Sequence, residues 1–425
     1  LKLLLALGLH IPLLWLLCWW LRRELTVPHP LRYWLLPTLL LKLTTSWVVT
    51  RFMTEDVRFV VIWSRRMTRQ FWYSVPDWLQ TMEGSAIYFQ GTKLGFHGFS
   101  NTWFFIKILS VLNLVTLGYP WLTAAYLSIV SFAGCWFLAR TILRLFPAVP
   151  PLSAALALLI WPSCIYWTSG ITKEALLTGS VLGCTAWVVT WAYGSDQVQP
   201  LTVVWTLLLA YVAFKMRFFF SIFLLAGLGI LLLIRTIQYM GSLRSWWSQL
   251  VFFGFLFSGG AWAASEVVPV FRANKFTNQV ITTYRGMSQL SVGKPLIVYQ
   301  DLKPTLSSIA QHAPVAIFNT LSRPWPGESP DLRYQLLGLE NVGLLGLLVV
   351  SLLGVIRKKA GTLPFALVLV FLWYCVVVAL FIGLTTPNLG TLTRYRTAFL
   401  PFLLLLLLQN DYAAAVLRRL PWPRK

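Results

Sequence analysis

The sequence predicts an all-α polytopic transmembrane helical bundle of about 11–13 spans, with amphipathic surface helices in the first large loop. Three observations carry this prediction. Hydrophobic residues fill 57% of the 425 positions and charged residues only 11%, too few to cover a water-soluble body of this size. Apolar runs that reach or approach the ~20 residues needed to cross ~30 Å of hydrocarbon recur along the chain, among them Leu3 to Trp20, Leu122 to Leu138 and Phe365 to Leu384. Many of the 22 tryptophans, including Trp19, Trp20, Trp161, Trp167 and Trp422, fall near the ends of such runs, where an aromatic belt meets the interface.

In order, spans are expected near 3–20, 33–50, 103–118, 122–140, 152–168, 175–193, 201–214, 217–234, 246–265, 341–356, 363–384 and 396–409, together forming one integral membrane domain over 1–425. The first run keeps Leu, Trp and Cys up to Arg22 and Arg23 with no small-residue cleavage site behind it, so it reads as a span and not a cleaved leader. Two segments interrupt the spans. Residues 51–102, after the second span, are aromatic and basic, with amphipathic stretches such as Val57 to Tyr73 that should lie along the membrane surface. Residues 267–340 are the most polar part of the chain, and Pro304, Pro314, Pro324, Pro326 and Pro330 should break them into short pieces.

Sidedness follows from the basic residues. Arg357, Lys358 and Lys359, and Arg418, Arg419, Arg424 and Lys425 near the end, read as cytoplasmic anchors, which puts the polar loop 267–340 and residues 385–395 outside. Seven runs then separate 267–340 from 51–102, an odd number that sets these segments on opposite faces unless one run fails to cross. The run 201–214, ending in Lys215-Met216-Arg217, is the one expected to re-enter or merge with its neighbour. No internal repeat is evident.

Lys and Arg outnumber Asp and Glu by 35 to 13, for a net charge of +22. In a soluble protein this would suggest nucleic acid; here anchoring and attraction to anionic lipid explain it, so the expected partner is the bilayer and not nucleic acid. Cys18, Cys135, Cys184 and Cys375 sit in apolar runs and Cys164 near a span end, with neither metal-ligand spacing nor a disulfide framework. His10, His29, His97 and His312 are scattered. Without a Gly-rich phosphate loop, a nucleophile elbow or a Cys pair, nucleotide hydrolysis and Ser or Cys nucleophilic catalysis have no support.

Thirteen acids make the search for chemistry short. Glu24 beside Arg22 and Arg23, Asp196 in a Gly-Ser-Asp-Gln turn and Asp411 fit solvated structural roles. Asp301, Glu328 and Asp331 can keep the polar loop wet, and Glu266 ends a span. The pair Glu55-Asp56, at the mouth of the first large loop, could take a proton from an attacking hydroxyl or hold a divalent cation as cofactor; the structural alternative is pairing with Arg51 or Arg58. Asp77 and Glu83 on the following amphipathic stretch are second candidates.

A second constellation runs from Trp161-Pro162-Ser163 through Trp167-Thr168-Ser169-Gly170-Ile171-Thr172-Lys173-Glu174. Thr172 can cap a helix and place Glu174 in its first turn, leaving Lys173 for an anion; a plain turn with a local Lys–Glu pair is the structural alternative. In the third, Arg394-Tyr395-Arg396 lies just before the last span, outside, where anchoring is a weaker explanation and two arginines can fork onto phosphate oxygens. Lys215, Arg217 and Arg323 complete the cationic set, and Glu340-Asn341 could pair with one of them.

The acid pair after an early span, the Pro162-Ser163 to Lys173-Glu174 block and Arg394-Tyr395-Arg396 leading to Pro401 together resemble bacterial polytopic glycosyltransferases of the GT-C type. They also resemble related membrane proteins of polysaccharide-synthesis loci, O-antigen-polymerase-like ones included. The resemblance runs as spaced short motifs from Leu36 to Leu408. It implies a polyprenyl-linked sugar donor and assigns Asp56, with Glu55 beside it, the role of general base or metal-linked group. Lys173, Arg394 and Arg396 become phosphate or pyrophosphate ligands, and from the residue clusters themselves Glu174, Arg217, Arg323 and Tyr395 are read as further substrate contacts. It also implies that 51–102 lies outside, against the odd parity of the runs. The expected function is transfer of a sugar from a polyprenyl-(pyro)phosphate-linked donor to a glycan, lipid or protein acceptor at the outer face of a bacterial inner membrane. The alternatives are a non-catalytic transporter or flippase for a lipid-linked or anionic solute, for which Lys42 is the clearest mid-span charge, and a structural subunit of an envelope complex.

Overall fold

In a computed structural model that describes residues 1–195 and 197–420, nineteen α-helices and one hairpin carry the fold. Asp196, Trp422, Arg424 and Lys425, all read above, lie outside the described residues. In chain order the elements are α1 (Lys2–Thr26), α2 (Leu35–Arg51), α3 (Glu55–Tyr73), α4 (Val75–Glu83), the antiparallel strands β1 (Ala86–Phe89) and β2 (Thr92–Gly95), α5 (Asn101–Thr116), α6 (Pro120–Leu145), α7 (Pro151–Ala155), α8 (Pro162–Trp167), α9 (Lys173–Tyr193) and α10 (Pro200–Met216). There follow α11 (Phe218–Tyr239), α12 (Trp246–Val267), α13 (Ala273–Gln289), α14 (Leu306–Ser322), α15 (Leu332–Ile356), α16 (Phe365–Thr385), α17 (Leu389–Arg396), α18 (Leu400–Leu408) and α19 (Asp411–Arg419).

Seven of these, α1, α6, α9, α11, α12, α15 and α16, are long and apolar enough to cross a bilayer, and α17 with α18, bent by 62°, makes an eighth candidate. The chain is a multi-pass membrane protein. The larger number of spans expected from apolar runs resolves into these, three shorter apolar helices of 10–17 residues (Asn101–Thr116, Pro151–Ile160 and Pro200–Met216), and α2. Short apolar runs read alike in sequence whether or not they reach span length.

Three local expectations change. The run 152–168 is broken: α7 passes into a π-helical turn over Leu156–Ile160, Trp161 is extended, and Pro162, which lacks an N–H for the ladder, starts α8. The run 201–214 does not merge with its neighbour, since α10 is a separate helix of 17 residues with Arg217 at its joint to α11. Residues 267–340 are not only short pieces. They hold two amphipathic helices of 17 residues, α13 and α14, and Pro314 lies inside α14 without ending it. Their apolar faces supply Val280, Ile281 and Ala316 to a core with Leu302 and Leu384, which explains why so polar a segment folds.

Contacts divide the chain into two compact units. The first comprises Leu1–Arg140, Ile165–Cys184 and Leu201–Ser221; the second comprises Thr141–Cys164, Thr185–Pro200 and Ile222–Lys425. Each contains a helix crossing that only glycine permits. In the first, a Cβ on Gly134 of α6 would overlap the carbonyl of Gly179 on α9; in the second, a Cβ on Gly383 of α16 would overlap the carbonyl of Ala316 on α14. Lipid gives helices no hydrophobic reason to associate, so close backbone approach of this kind supplies the packing energy instead.

Candidate functional site

In the first unit the apolar positions Phe104, Ile108, Val111, Leu112 and Val115 recur at helical spacing on α5 and form one wall of a groove of about 990 Å³. Leu13 of α1, Leu127 and Val130 of α6, Leu176 of α9 and Tyr211 of α10 complete its apolar part. The polar lining gathers toward the N-terminal end of α5, where Glu83, Ser100, Lys107 and Lys215 meet.

Local hydrogen bonds fix that end. The Ser100 hydroxyl accepts from the Trp103 amide (3.3 Å) and caps α5. The carbonyl of Gly84, one residue past α4, accepts from both the Trp103 indole (2.8 Å) and Lys107 Nζ (2.8 Å). Those two bonds hold the end of α4, and with it Glu83, beside the lysines. Lys107 also lies over the Trp103 ring at 5.4 Å, and Lys215 over Phe99 and Phe104 at 5.6 and 5.7 Å. Glu83 is exposed and makes no ion pair with another described residue. The end therefore presents two cations and one carboxylate at the head of an apolar channel.

The same turn of α5 carries a buried polar network. Lys173 Nζ donates to Asn101 Oδ1 (3.0 Å) and Thr102 Oγ1 (2.6 Å), and Asn101 Nδ2 donates to the Met216 carbonyl (3.2 Å). Glu174, 3% exposed, is paired with Arg217 at 3.0 Å. A carboxylate buried to that degree costs several kcal/mol unless a cation and hydrogen bonds answer it, as Arg217 does here. Thr172 accepts from the Ala175 amide (3.1 Å) and so caps α9 as its position suggests. Gly170, at φ +83°, brings its amide to Ser128 Oγ (2.9 Å), and Lys42, 4% exposed, donates to Thr168. Lys173, Glu174 and Arg217, chosen from sequence, are thus assembled around one joint.

Glu55 and Asp56 stand apart from the groove lining. Both occupy the first turn of α3 and are exposed, Glu55 at 87% of its side chain, with Arg58 at 2.9 Å. An exposed pair of this kind contributes little stability. Asp77 is exposed in the first turn of α4, whose N-cap is Ser74. Among the described residues no group of three or more His, Cys, Asp or Glu side chains is placed to hold a metal ion, so Glu55 and Asp56 find no third ligand of these types.

In the second unit Arg396 is fully buried. It donates to Asn341 Oδ1 (2.7 Å) and to the carbonyls of Thr320, Leu321 and Arg323 (3.3, 3.4 and 3.4 Å), the unsatisfied C-terminal end of α14. Asn341 Nδ2 in turn donates to the Pro324 carbonyl at 2.8 Å. Arg323 is paired with Glu328, and Arg394, half-buried, lies 5.3 Å from the Tyr395 ring. Glu340 accepts from the Ser163 amide (3.1 Å) and hydroxyl, and the cationic partner expected for Glu340-Asn341 is Arg396, held through the asparagine.

Glu24 and Lys107 have settings that the sequence reading does not give. Glu24 is not solvated. It is 4% exposed and bound by Arg140 and the Trp136 indole (2.9 Å), with His29 at 3.7 Å. Lys107 was missed; its signal was a lone cation within the apolar run that begins at Trp103. No protein-family model matches the chain, and no curated protein or solved structure matches it.

Proposed function

We propose that the chain is a glycosyltransferase of the bacterial inner membrane that moves a sugar from a polyprenyl-(pyro)phosphate-linked donor to a glycan, lipid or protein acceptor at the outer face. The observation that carries this reading is the groove of the first unit, an apolar channel with Lys107, Lys215 and Glu83 at one end. The channel suits an isoprenoid chain, and the two ammonium groups suit its phosphate. In the transfer the acceptor hydroxyl attacks the anomeric carbon and gives its proton to a carboxylate. The sugar–phosphate C–O bond breaks with its electron pair leaving on the lipid phosphate, whose charge the lysines stabilise. The resemblance points to Asp56 as that carboxylate; the groove favours Glu83, which shares its polar end with both lysines.

The test is transfer from a radiolabelled polyprenyl-phosphate sugar by the full chain in liposomes. Glu83→Gln should lower transfer by about 10²–10⁴-fold, the usual reach of general base catalysis, while donor binding persists. Full transfer by Glu83→Gln with loss in Asp56→Asn would return the role to Asp56. One observation favours the transport reading, the burial of Lys42 in α2 at the Thr168 hydroxyl. Movement of intact donor across the bilayer without transfer would replace the enzyme by a flippase.

A further inference from the structure

A second cavity of the first unit, about 380 Å³, lies where three elements meet. Lys2 opens α1, Arg65, Thr68, Arg69 and Trp72 come from α3, and Asn113 with the turn Leu117, Gly118 and Tyr119 joins α5 to α6. Three cations line it and no acid does. Arg65 is fixed by two hydrogen bonds, from Nε (3.0 Å) and NH2 (2.6 Å), to the Gly118 carbonyl, and keeps three of its five N–H donors for another partner. Gly118, at φ +73°, holds the left-handed turn that presents this carbonyl. Lys2 lies over the Trp72 ring at 5.6 Å. Neither Lys2 nor Arg69 pairs with a carboxylate among the described residues. The floor is polar and already satisfied, with Asn113 Nδ2 donating to Ser64 Oγ (3.2 Å) and Thr68 Oγ1 (3.3 Å).

The depth of this cup follows from its walls. α1 is a span candidate whose side chains face outward, Leu3 and Leu4 being 58% and 71% exposed, and Lys2 precedes that apolar run. The span candidate α6 begins at Pro120, with Tyr119 and Trp121 exposed at 56% and 57% in the manner of interfacial aromatics. α3 is amphipathic, with a buried face of Val60, Val61, Ser64 and Met67 and a basic outer face, the pattern of an interfacial helix. The start of the α6 span candidate and the amphipathic α3 thus meet at one cationic cup, a setting suited to a lipid headgroup.

We infer that this cup binds the phosphate group of an anionic membrane lipid, with Lys2, Arg65 and Arg69 on the phosphate oxygens and Trp72 and Tyr119 flanking the glycerol region. The site is separate from the groove and does not depend on the proposed activity.

The experiment titrates the delipidated full chain in detergent with radiolabelled phosphatidylglycerol, with phosphatidylcholine of the same chain length as comparator and inorganic phosphate as competitor. Phosphatidylglycerol should bind in preference, and Lys2→Gln and Arg69→Gln should each weaken it roughly fivefold, the effect of one basic residue at an anionic surface. Both residues are exposed, so folding should survive, as thermal unfolding will check. Arg66→Gln, on the same helix but stacked on Trp63 and outside the cup, should leave affinity unchanged, as should Lys107→Gln in the groove. Equal weakening by Arg66→Gln would reduce the site to diffuse surface charge. Weakening by Lys107→Gln alone would move it to the groove. Complete displacement by inorganic phosphate would make it a soluble-anion site, and each of these results overturns the inference.

Discussion

Lys107 and Lys215 in the first unit and Arg396 in the second are cations set among apolar helices, yet their donors are used differently. The two lysines rest on aromatic faces and line a groove of about 990 Å³. Arg396 has no access to solvent, and its guanidinium is spread over three backbone carbonyls and Asn341. A rare charge in a membrane protein is therefore not by itself a ligand site. What decides is where the donors point. Arg396 is shut away from solvent with both terminal nitrogens on acceptors of the fold, although its Nε finds no partner. The lysines stand at a cavity wall with N–H donors left for a ligand's anion, Lys107 giving only one bond, to the Gly84 carbonyl.

The sharpest way to break this contrast is Arg396→Met, which keeps volume and removes the donors. Three carbonyls and an amide oxygen would lose their partner, a cost of about 3 kcal/mol or more. We expect a marked fall in the thermal unfolding midpoint, and little recovery with Arg396→Lys, whose single ammonium cannot reach acceptors arranged for a planar fork. An unchanged midpoint together with lost donor affinity would reverse the assignment and restore the phosphate role that the Arg394-Tyr395-Arg396 motif suggests.

That motif shows where sequence was informative and where it stopped. Hydrophobic periodicity gave the all-α membrane fold and the surface helix α3, since both depend on local pattern. The block ending in Lys173-Glu174 was legible because its turn residues and cap are consecutive. Side-chain direction and long-range partners were not. Arg396 points inward to acceptors more than fifty positions away, and Glu24 finds Arg140 and Trp136, 116 and 112 positions along, although its own neighbours are two arginines that suggest solvent. Glu83 ranked below Glu55 and Asp56 because only the fold shows that the Gly84 carbonyl ties it to Trp103 and Lys107.

A control on the contrast comes from packing, where the two units should behave alike. Gly134→Ala in the first and Gly383→Ala in the second each force a methyl against a backbone carbonyl that cannot swing away, and each should lower stability by about 1–3 kcal/mol. A large effect in one unit only would show that the other relaxes its helix crossing. The lysines should then give the opposite pattern. Lys107→Gln and Lys215→Gln should each weaken binding of a polyprenyl phosphate by roughly fivefold, about 1 kcal/mol, with stability changed by no more than about 0.5 kcal/mol. Loss of stability without loss of binding would make them structural like Arg396.

The smallest effect tests whether the contrast belongs to the units or to the residues. The first unit also holds a structural charge cluster, Glu24 with Arg140, Trp136 and His29, and His29 lies outside the spans in the turn after α1. Its Nε2 meets the Glu24 carbonyl oxygen at 3.1 Å, and its buried Nδ1 has no partner, an arrangement suited to the neutral ring with the proton on Nε2. Burial lowers its pKa below the ordinary 6.5, outweighing the attraction of the Glu24 carboxylate, while Arg140 and Arg32 push the same way. Between the folded pKa and 6.5 the unfolded chain therefore binds more protons here than the folded one, so stability rises with pH through that window. The contribution is complete above 6.5 and is lost as the pH falls below it. We expect a slightly lower unfolding midpoint at about pH 5.5 than at about pH 7.5, with the difference reduced in His29→Gln. A midpoint that instead rises on acidification would mean that the Glu24 carboxylate outweighs burial and holds a charged imidazole, making this cluster an ion-pair network and no longer a counterpart to the carbonyl-bound Arg396.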